Sequence, residues 1–182
     1  MKGTSDDHET GQKNKPRRPI VSSAHLISDK AIELSEFEYG LIIADNAFSR
    51  WTVQCMAAAG LSDLSPLDIL VLHSVNHRDR EKKASDICFV LNVEDVHTVS
   101  YSLKKLVKTD LVRRRRKGKE TFFRTSRHGI AACEKYREIR EDCLVSSLEA
   151  LNLDNRAIGE LADKLRALSG LYDQAARAAT SL

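Results

Sequence analysis

The stretch Leu111-Val-Arg-Arg-Arg-Arg-Lys-Gly-Lys-Glu-Thr-Phe-Phe-Arg-Thr125 carries the most information about this chain. It predicts two short strands, 111–116 and 120–124, around the turn Lys117-Gly118-Lys119. From Lys104 to Arg127 there are eleven Lys and Arg residues and two acids, a net charge of +9, whereas the whole chain of 182 residues carries +3. The remaining residues therefore sum to −6. Such a local concentration of cations is typical of a surface that binds the phosphates of nucleic acid.

The rest of the composition is typical of a globular protein. The chain is 42% apolar and 30% charged, and its low aromatic fraction of 5% favours a helical fold. No apolar run approaches the roughly 18 residues that cross a bilayer. Residues 1–19 are polar, have no hydrophobic signal-peptide core and are predicted to be a disordered tail with a basic end. We therefore expect a cytoplasmic protein with no membrane contact.

Helical patterns precede and follow the hairpin. Ser65, Pro66 and Asp68 predict a helix start, because serine caps helices and proline fits the first helical position. Asn92 is the expected N-cap of a later helix, with Glu94 and Asp95 in its first turn. The first four predicted helices cover residues 30–59, 65–77, 84–91 and 94–108, and residues 77–83 are predicted to be a polar loop. Thr125 or Ser126 is expected to cap a fifth helix that continues to about 151, and Asp154 or Asn155 is expected to open the last one.

Two apolar stripes predict the core beneath these helices. The short helix 84–91 and the helix 94–108 each repeat apolar residues at helical spacing. Ile87, Val90 and Leu91 are expected to point inward from the first, and Val96, Val99, Leu103 and Leu106 from the second.

The order of helix, short helix, helix and basic hairpin is that of a winged helix-turn-helix. In that motif the second of the two close helices enters the major groove, and the hairpin lies on the flanking backbone or minor groove. The predicted fold class is therefore mainly α, with a three-helix core, a two-stranded β wing and long N- and C-terminal dimerisation helices. The recognition helix is predicted to contact DNA through His97, Thr98, Ser100, Tyr101, Ser102, Lys104, Lys105 and Lys108. The wing is predicted to contact it through Arg113, Arg114, Arg115, Arg116, Lys117 and Lys119.

Strand alternation divides the wing arginines into two pairs. Either Arg114 and Arg116 face DNA while Arg113 and Arg115 pair locally, or the reverse holds, and the sequence leaves both open.

Three stretches resemble the MarR family of bacterial transcriptional regulators. Leu64-Ser-Pro-Leu-Asp-Ile-Leu-Val-Leu72 is similar to the opening of that family's second helix, residues 98–113 to its recognition helix and first wing strand, and residues 124–129 to its exit from the wing. The resemblance covers about residues 32–182. The family's usual Asp-x-Arg in the wing is absent, and Asp110 stands where the family has glycine.

This resemblance implies a homodimer whose N- and C-terminal helices interlock. It implies a repressor in the bacterial cytoplasm, associated with the nucleoid, and, as in many members, a pocket for a small aromatic or phenolic anion. The domains would be a dimerisation helix over residues 30–60, a winged helix DNA-binding domain over 62–127, and the rest of the dimerisation region over 128–182.

The last helix carries an apolar seam of about three heptads, which is typical of a coiled coil. This apolar seam must pack against the first helix, against a second subunit, or against both. Its residues are Ile158, Leu161, Leu165, Leu168, Tyr172, Ala175 and Ala179.

Other patterns are weaker signs of chemistry. His73 and His77 lie four apart on one helix and could join Cys88 or His97 at a metal, but the spacing fixes no third ligand, so we predict no metal site. Of two interpretations of the cysteines, small buried hydrophobes are favoured over a redox switch. Packing in the core is favoured over an effector pocket for Tyr39, Phe48 and Trp51.

The sequence predicts a non-enzymatic DNA-binding protein. It contains no GxSxG, Walker, HExxH or dinucleotide-binding motif, so we expect no catalytic residues and no cofactor. The predicted function is that of a sequence-specific, double-stranded DNA-binding transcriptional regulator, a homodimeric repressor open to control by an effector. Two alternatives remain, a protein-interaction module and an architectural DNA binder without sequence preference. Glu94 and Asp95 favour the first alternative, since carboxylates there would repel phosphates.

Overall fold

The computed structural model of the protein describes residues 31–151 and 154–182, so the predicted tail over residues 1–19 lies outside the described residues. The fold is mainly helical with one two-stranded antiparallel sheet, which confirms the predicted fold class. None of the described helices has the length and apolar character to span a membrane. The elements are α1 (Ile32–Ala58), α2 (Pro66–Asn76), α3 (Ala84–Leu91), α4 (Val96–Lys108), β1 (Val112–Lys117), β2 (Glu120–Thr125), α5 (Arg127–Cys143) and α6 (Asn155–Ala179), with short 3-10 turns at His77–Asp79 and Val145–Leu151.

The chain divides into two compact units, with the boundary after Phe48 inside α1. In the first unit, the described part of α1 exposes several large apolar side chains. They are Leu34, Leu41, Ile42, Ile43 and Phe48. The second unit contains the core, the wing and α6.

Helix α2 begins as its sequence predicts. The Ser65 hydroxyl accepts a hydrogen bond from the Asp68 amide at 3.2 Å, and the Asp68 carboxylate accepts one from the Ser65 amide at 2.9 Å. This reciprocal capping box satisfies two backbone donors that the first turn of a helix leaves unpaired. The start of the first core helix is thus fixed by local chemistry.

The turn between α3 and α4 differs from the prediction. Asn92 is not the N-cap of α4 but ends α3 in the left-handed conformation, at φ 52° and ψ 43°. Asparagine suits both positions, because its short amide competes for backbone groups and tolerates positive φ. Asp95 is the actual N-cap and accepts from the His97 amide at 2.8 Å. Glu94 and Asp95 therefore precede the helix and do not form its first turn.

The core lies beneath α2, α3 and α4, where Leu72, Ile87, Val99, Leu103 and Leu106 are fully buried. The expectation that Val90 and Val96 point inward was wrong, because both are exposed. Helix α3 has only two turns, and Ile87 is its one buried residue. The later start of α4 places Val96 in its first turn, at the exposed edge of the stripe.

Helix α5 is shorter than the predicted 125–151. It begins after the cap Ser126 and ends at Cys143. The Ser146 and Ser147 hydroxyls donate to the carbonyls of Asp142 and Cys143, at 2.5 and 3.1 Å. Serine side chains compete with backbone donors for helical carbonyls, which favours the observed change to a 3-10 turn.

The two wing strands pair from Val112↔Thr125 to Lys117↔Glu120 and leave Gly118 and Lys119 as the tip. Gly118 has φ +60°, which glycine adopts without strain. The predicted polar loop at 77–83 was only partly right. Lys82 is buried, and its amide and carbonyl pair with those of Phe123 at 2.9 and 2.8 Å, which adds a short third segment beside β2.

The junction between the wing and α5 depends on a glycine. A Cβ at Gly129 would lie 2.1 Å from the Leu111 carbonyl oxygen, a backbone atom that cannot rotate away. The Ser126 amide donates to that same carbonyl at 3.0 Å, and the Ser126 hydroxyl accepts from the Gly129 amide at 3.0 Å. Helix α5 can therefore approach the start of β1 only without a side chain at position 129.

We predict that Gly129→Ala lowers the free energy of unfolding by about 1–3 kcal/mol, since overpacking a tight contact costs this much. Urea unfolding followed by circular dichroism measures it. The matched control is Gly159→Ala on α6, where nothing lies near the new methyl group and the better helix propensity of alanine adds about 0.5–1 kcal/mol. Equal effects of the two substitutions would contradict the close approach.

Candidate nucleic-acid interface

The wing presents its cations on two different faces. Alternation along β1 places Arg114 and Arg116 on one face, named here the inner wing face, and Arg113, Arg115 and Lys117 on the other, the outer wing face. On the outer wing face, the Glu81 carboxylate lies 3.5 Å from Arg115 and 2.6 Å from Lys117. Of the two arrangements that the sequence left open, these contacts favour the one in which Arg115 pairs locally.

The inner wing face continues into α4. A groove of about 410 Å³ lies between the wing and α4. Arg114 of the wing lines it together with Ser100 and Lys104 of α4. The other lining residues are Ala84, Val107, Thr121 and Phe123. The fold thus brings the recognition helix and one wing arginine together at a single concave, cationic surface.

The N-terminal half of α4 is open to solvent. His97, Thr98 and Tyr101 are exposed, Tyr101 by 73%. The Thr98 hydroxyl donates to the Asp95 carbonyl at 2.8 Å, so its lone pairs remain available as acceptors. Lys108 is exposed in the last turn of α4, and Lys119 is exposed at the wing tip. These side chains could reach base edges or phosphates.

Two of the predicted contact residues face the core. The expected exposure of Ser102 was wrong, because its side chain is only 3% exposed and bonds to Asp68. Lys105 is half-buried, and its ammonium lies 2.7 Å from the Asp68 carboxylate and 2.6 Å from the Asp63 carbonyl. The helical period moves these two positions toward α2, away from the face that carries Tyr101 and Lys104. Lys105 and Ser102 therefore fasten α4 to the start of α2.

The segment that forms this surface matches a known protein family. Residues 64–129 match the family model described as a winged helix DNA-binding domain. This segment therefore resembles a winged helix DNA-binding domain. The match covers the capping box, both helices of the helix-turn-helix and the whole wing. No curated protein sequence is significantly similar to the chain.

The structural similarity to solved MarR proteins covers more of the chain than this domain. AbfR of Staphylococcus epidermidis is 14% identical, with 80% of this chain and 95% of that chain covered and a TM-score of 0.64. A mutant MarR from E. coli complexed with operator DNA is 18% identical, with 78% and 99% covered and a TM-score of 0.62. A MarR family regulator from Neisseria meningitidis is 16% identical, with 79% and 95% covered and a TM-score of 0.62. The chain therefore has the MarR-type winged helix fold.

Burial disfavours the charged forms of one histidine and two cysteines. Burial lowers the pKa of His73, whose ring packs edge-on against Tyr136 with centroids 4.5 Å apart. Burial raises the pKa of the Cys133 thiol to about 11 and also raises that of Cys55, which disfavours thiolate at both. Within residues 31–151 and 154–182, no three His, Cys, Asp or Glu side chains are grouped closely enough to hold a metal ion.

Asp68 is a buried charged residue that joins the start of α2 to α4. Burial alone would raise the pKa of its carboxyl, but hydrogen bonds from Lys105, Ser65 and Ser102 outweigh this and hold the pKa below its ordinary value. The carboxylate is therefore more stable in the folded than in the unfolded protein. This stabilisation is complete above the unfolded pKa of about 4 and is lost as the pH falls through the folded pKa.

We predict that Asp68→Asn flattens the acid side of the stability profile and lowers stability at neutral pH by about 1–3 kcal/mol, because a charged hydrogen-bond network loses its acceptor. Urea unfolding between pH 2 and 7 measures both effects. Asp63→Asn is the matched control, since Asp63 contacts Lys105 through its backbone carbonyl only. An unchanged pH dependence in Asp68→Asn would refute the assignment.

Proposed function

We propose that this protein is a sequence-specific, double-stranded DNA-binding transcriptional regulator of the MarR type. We further propose that it acts as a homodimeric repressor in the bacterial cytoplasm, where it is associated with the nucleoid. The observation that carries the proposal is the groove that Arg114 of the inner wing face lines together with Ser100 and Lys104 of α4. It joins a recognition helix to a cationic strand at one surface. The operator DNA in the E. coli MarR structure supports the same use of this fold.

In the proposed complex, α4 enters the major groove of DNA. His97, Thr98 and Tyr101 are placed to meet base edges, since the exposed N-terminal half of a recognition helix is where such contacts occur. Lys104 and Lys108 neutralise phosphates, and Arg114 and Arg116 hold the backbone beside the wing or enter the minor groove. Phosphate contacts supply affinity and register, whereas the contacts from α4 supply sequence preference.

We predict that replacing Arg114 and Arg116 together by Gln reduces the slope of log K against log salt by about 2, because each lost phosphate contact removes about 0.9. Fluorescence anisotropy with a labelled duplex at several salt concentrations measures it. Replacing Arg113 and Arg115 by Gln is the matched control, with the same charge change on the same strand but on the outer wing face. Equal losses of slope in the two variants would exclude a special role for the inner wing face.

The proposed dimer forms through α1 and α6. No residue of α6 is buried within one protomer, although its apolar seam follows a heptad pattern, and Leu161 is 50% exposed. A water-exposed seam of this length gains free energy from a partner surface. The exposed apolar residues of α1, including Ile42 and Ile43, need cover for the same reason. A second copy of the chain would cover both helices.

We predict that Leu161→Lys shifts the protein toward monomer, because it places a charge in the seam. Sedimentation equilibrium measures the association constant. The control Ala167→Lys introduces the same side chain on α6 outside the seam and should leave the dimer intact. A monomeric wild type, or a dimer insensitive to Leu161→Lys, would contradict the proposed interface.

An effector would act through the second unit. A cavity of about 480 Å³ lies beside α2 and α5, lined by His73, His77, Tyr136, Arg137 and Arg140 among others. Glu134 also lines the cavity, and its two arginines and Tyr136 suit a small aromatic anion. Because α2 packs against α4, occupation of the cavity would alter the position of the recognition helix.

A protein-interaction module is the second candidate. Phe89 on α3 is 88% exposed, and Val90 beside it is also exposed. Two adjacent apolar side chains on a DNA-binding domain are suited to contact another protein. This function predicts partner binding that survives loss of the inner wing face cations, whereas the leading proposal predicts loss of DNA binding in the same variant.

A further inference from the structure

The segment Glu81-Lys82-Lys83 touches the wing at three points. The Glu81 carboxylate lies between Arg115 and Lys117. The backbone of Lys82 pairs with Phe123 in both directions. The Lys83 ammonium pairs with Glu120 and lies 5.5 Å from the centroid of the Phe122 ring. Three consecutive residues outside the hairpin therefore fix both of its strands.

Lys82 sets the position of this segment. Its side chain is 5% exposed, and its ammonium donates to the carbonyls of Ser74, Val75 and His77 at the end of α2. The last carbonyls of a helix lack intrahelical partners and carry partial negative charge, so a cation there is held by both hydrogen bonds and the helix dipole. Because Lys82 is fixed to α2, the neighbouring Glu81 is held beside the outer wing face.

We propose that Glu81 is a positioning residue that holds the charged ends of Arg115 and Lys117 against the outer wing face and away from DNA, so that Arg114 and Arg116 of the inner wing face make the wing's phosphate contacts. This inference rests on the proposed DNA-binding function and identifies Glu81 as the residue that limits the number of phosphate contacts. A carboxylate and a phosphate compete for the same two cations. In the folded protein, Glu81 supplies the carboxylate that competes with phosphate.

The wing has many cations, so the number of them that reach phosphates affects how tightly the protein binds DNA of any sequence. Six Lys and Arg residues lie between Arg113 and Lys119, and all could approach a polyanion if the hairpin were free to twist. Phosphate contacts strengthen binding to every sequence equally. By removing Arg115 and Lys117 from this set, Glu81 lowers non-specific affinity and increases the share of recognition that α4 carries. Outside the hairpin, the Lys83 ammonium is likewise paired with a carboxylate, that of Glu120.

The test compares wild type with Glu81→Gln on a random-sequence duplex over a range of salt concentrations. We expect tighter binding by the variant and a slope of log K against log salt that is steeper by about 1–2, because one or two more phosphates are neutralised at about 0.9 each. The matched control is Glu138→Gln, which removes the same charge and breaks an exposed pair with Lys135. Glu138 lies on α5, about 16 Å along the helix axis from Arg127.

A triple variant identifies the cations involved. Glu81→Gln combined with Arg115→Gln and Lys117→Gln should return the slope to the wild-type value. The proposal is overturned if Glu81→Gln has the wild-type slope, if Glu138→Gln steepens the slope equally, or if the triple variant stays as steep as Glu81→Gln. A wild type that binds no duplex at any salt concentration would refute the proposed function itself, an outcome separate from these three.

A second readout needs no DNA. Carbon-detected NMR titration of the Glu81 carboxyl should give a pKa below the ordinary glutamate value, held there by Lys117 and Arg115. Replacing both cations by Gln should raise that pKa toward the ordinary value. No change on replacement would show that Glu81 does not hold these cations and would overturn the proposal.

Discussion

Each end of helix α2 meets a buried charge of the sign that its dipole favours, and each charge fixes one part of the proposed DNA-binding surface. Near the N-terminus the Asp68 carboxylate caps the helix and holds Lys105 and Ser102 of α4. At the C-terminus the Lys82 ammonium binds the last carbonyls, while its backbone holds β2. Helix α2 is thus the rigid element between the recognition helix and the wing.

This arrangement sorts the many cations of the chain by role. Lys82 and Lys105 stabilise the fold, Arg115 and Lys117 are paired with Glu81, and the inner wing face remains open beside α4. A basic sequence alone would suggest that every Lys and Arg binds phosphate. The structure distributes them among internal partners first, which leaves a smaller and more directional cationic surface.

The sequence predicted the features that depend on local chemistry. The Ser65 capping box, the hairpin and the order of helices follow from neighbouring residues, and all were confirmed. Features that depend on tertiary contacts were missed. Asn92 suits either end of a helix, so only packing assigns it to the end of α3. The burial of Lys82 could not be predicted, because its partners are backbone carbonyls, which no side-chain pattern reveals. Which positions of the DNA-binding surface touch DNA stays a prediction.

The central claim is that two copies of α4, each supported by an inner wing face, recognise a defined DNA sequence. The most direct measurement is selection from a random library of double-stranded DNA on the purified full-length protein at about 0.15 M salt, followed by sequencing. The account predicts an enriched near-palindrome with half-sites about one helical turn, or 10 base pairs, apart. Retention of duplexes without an enriched motif, or no retention by folded protein, would contradict it.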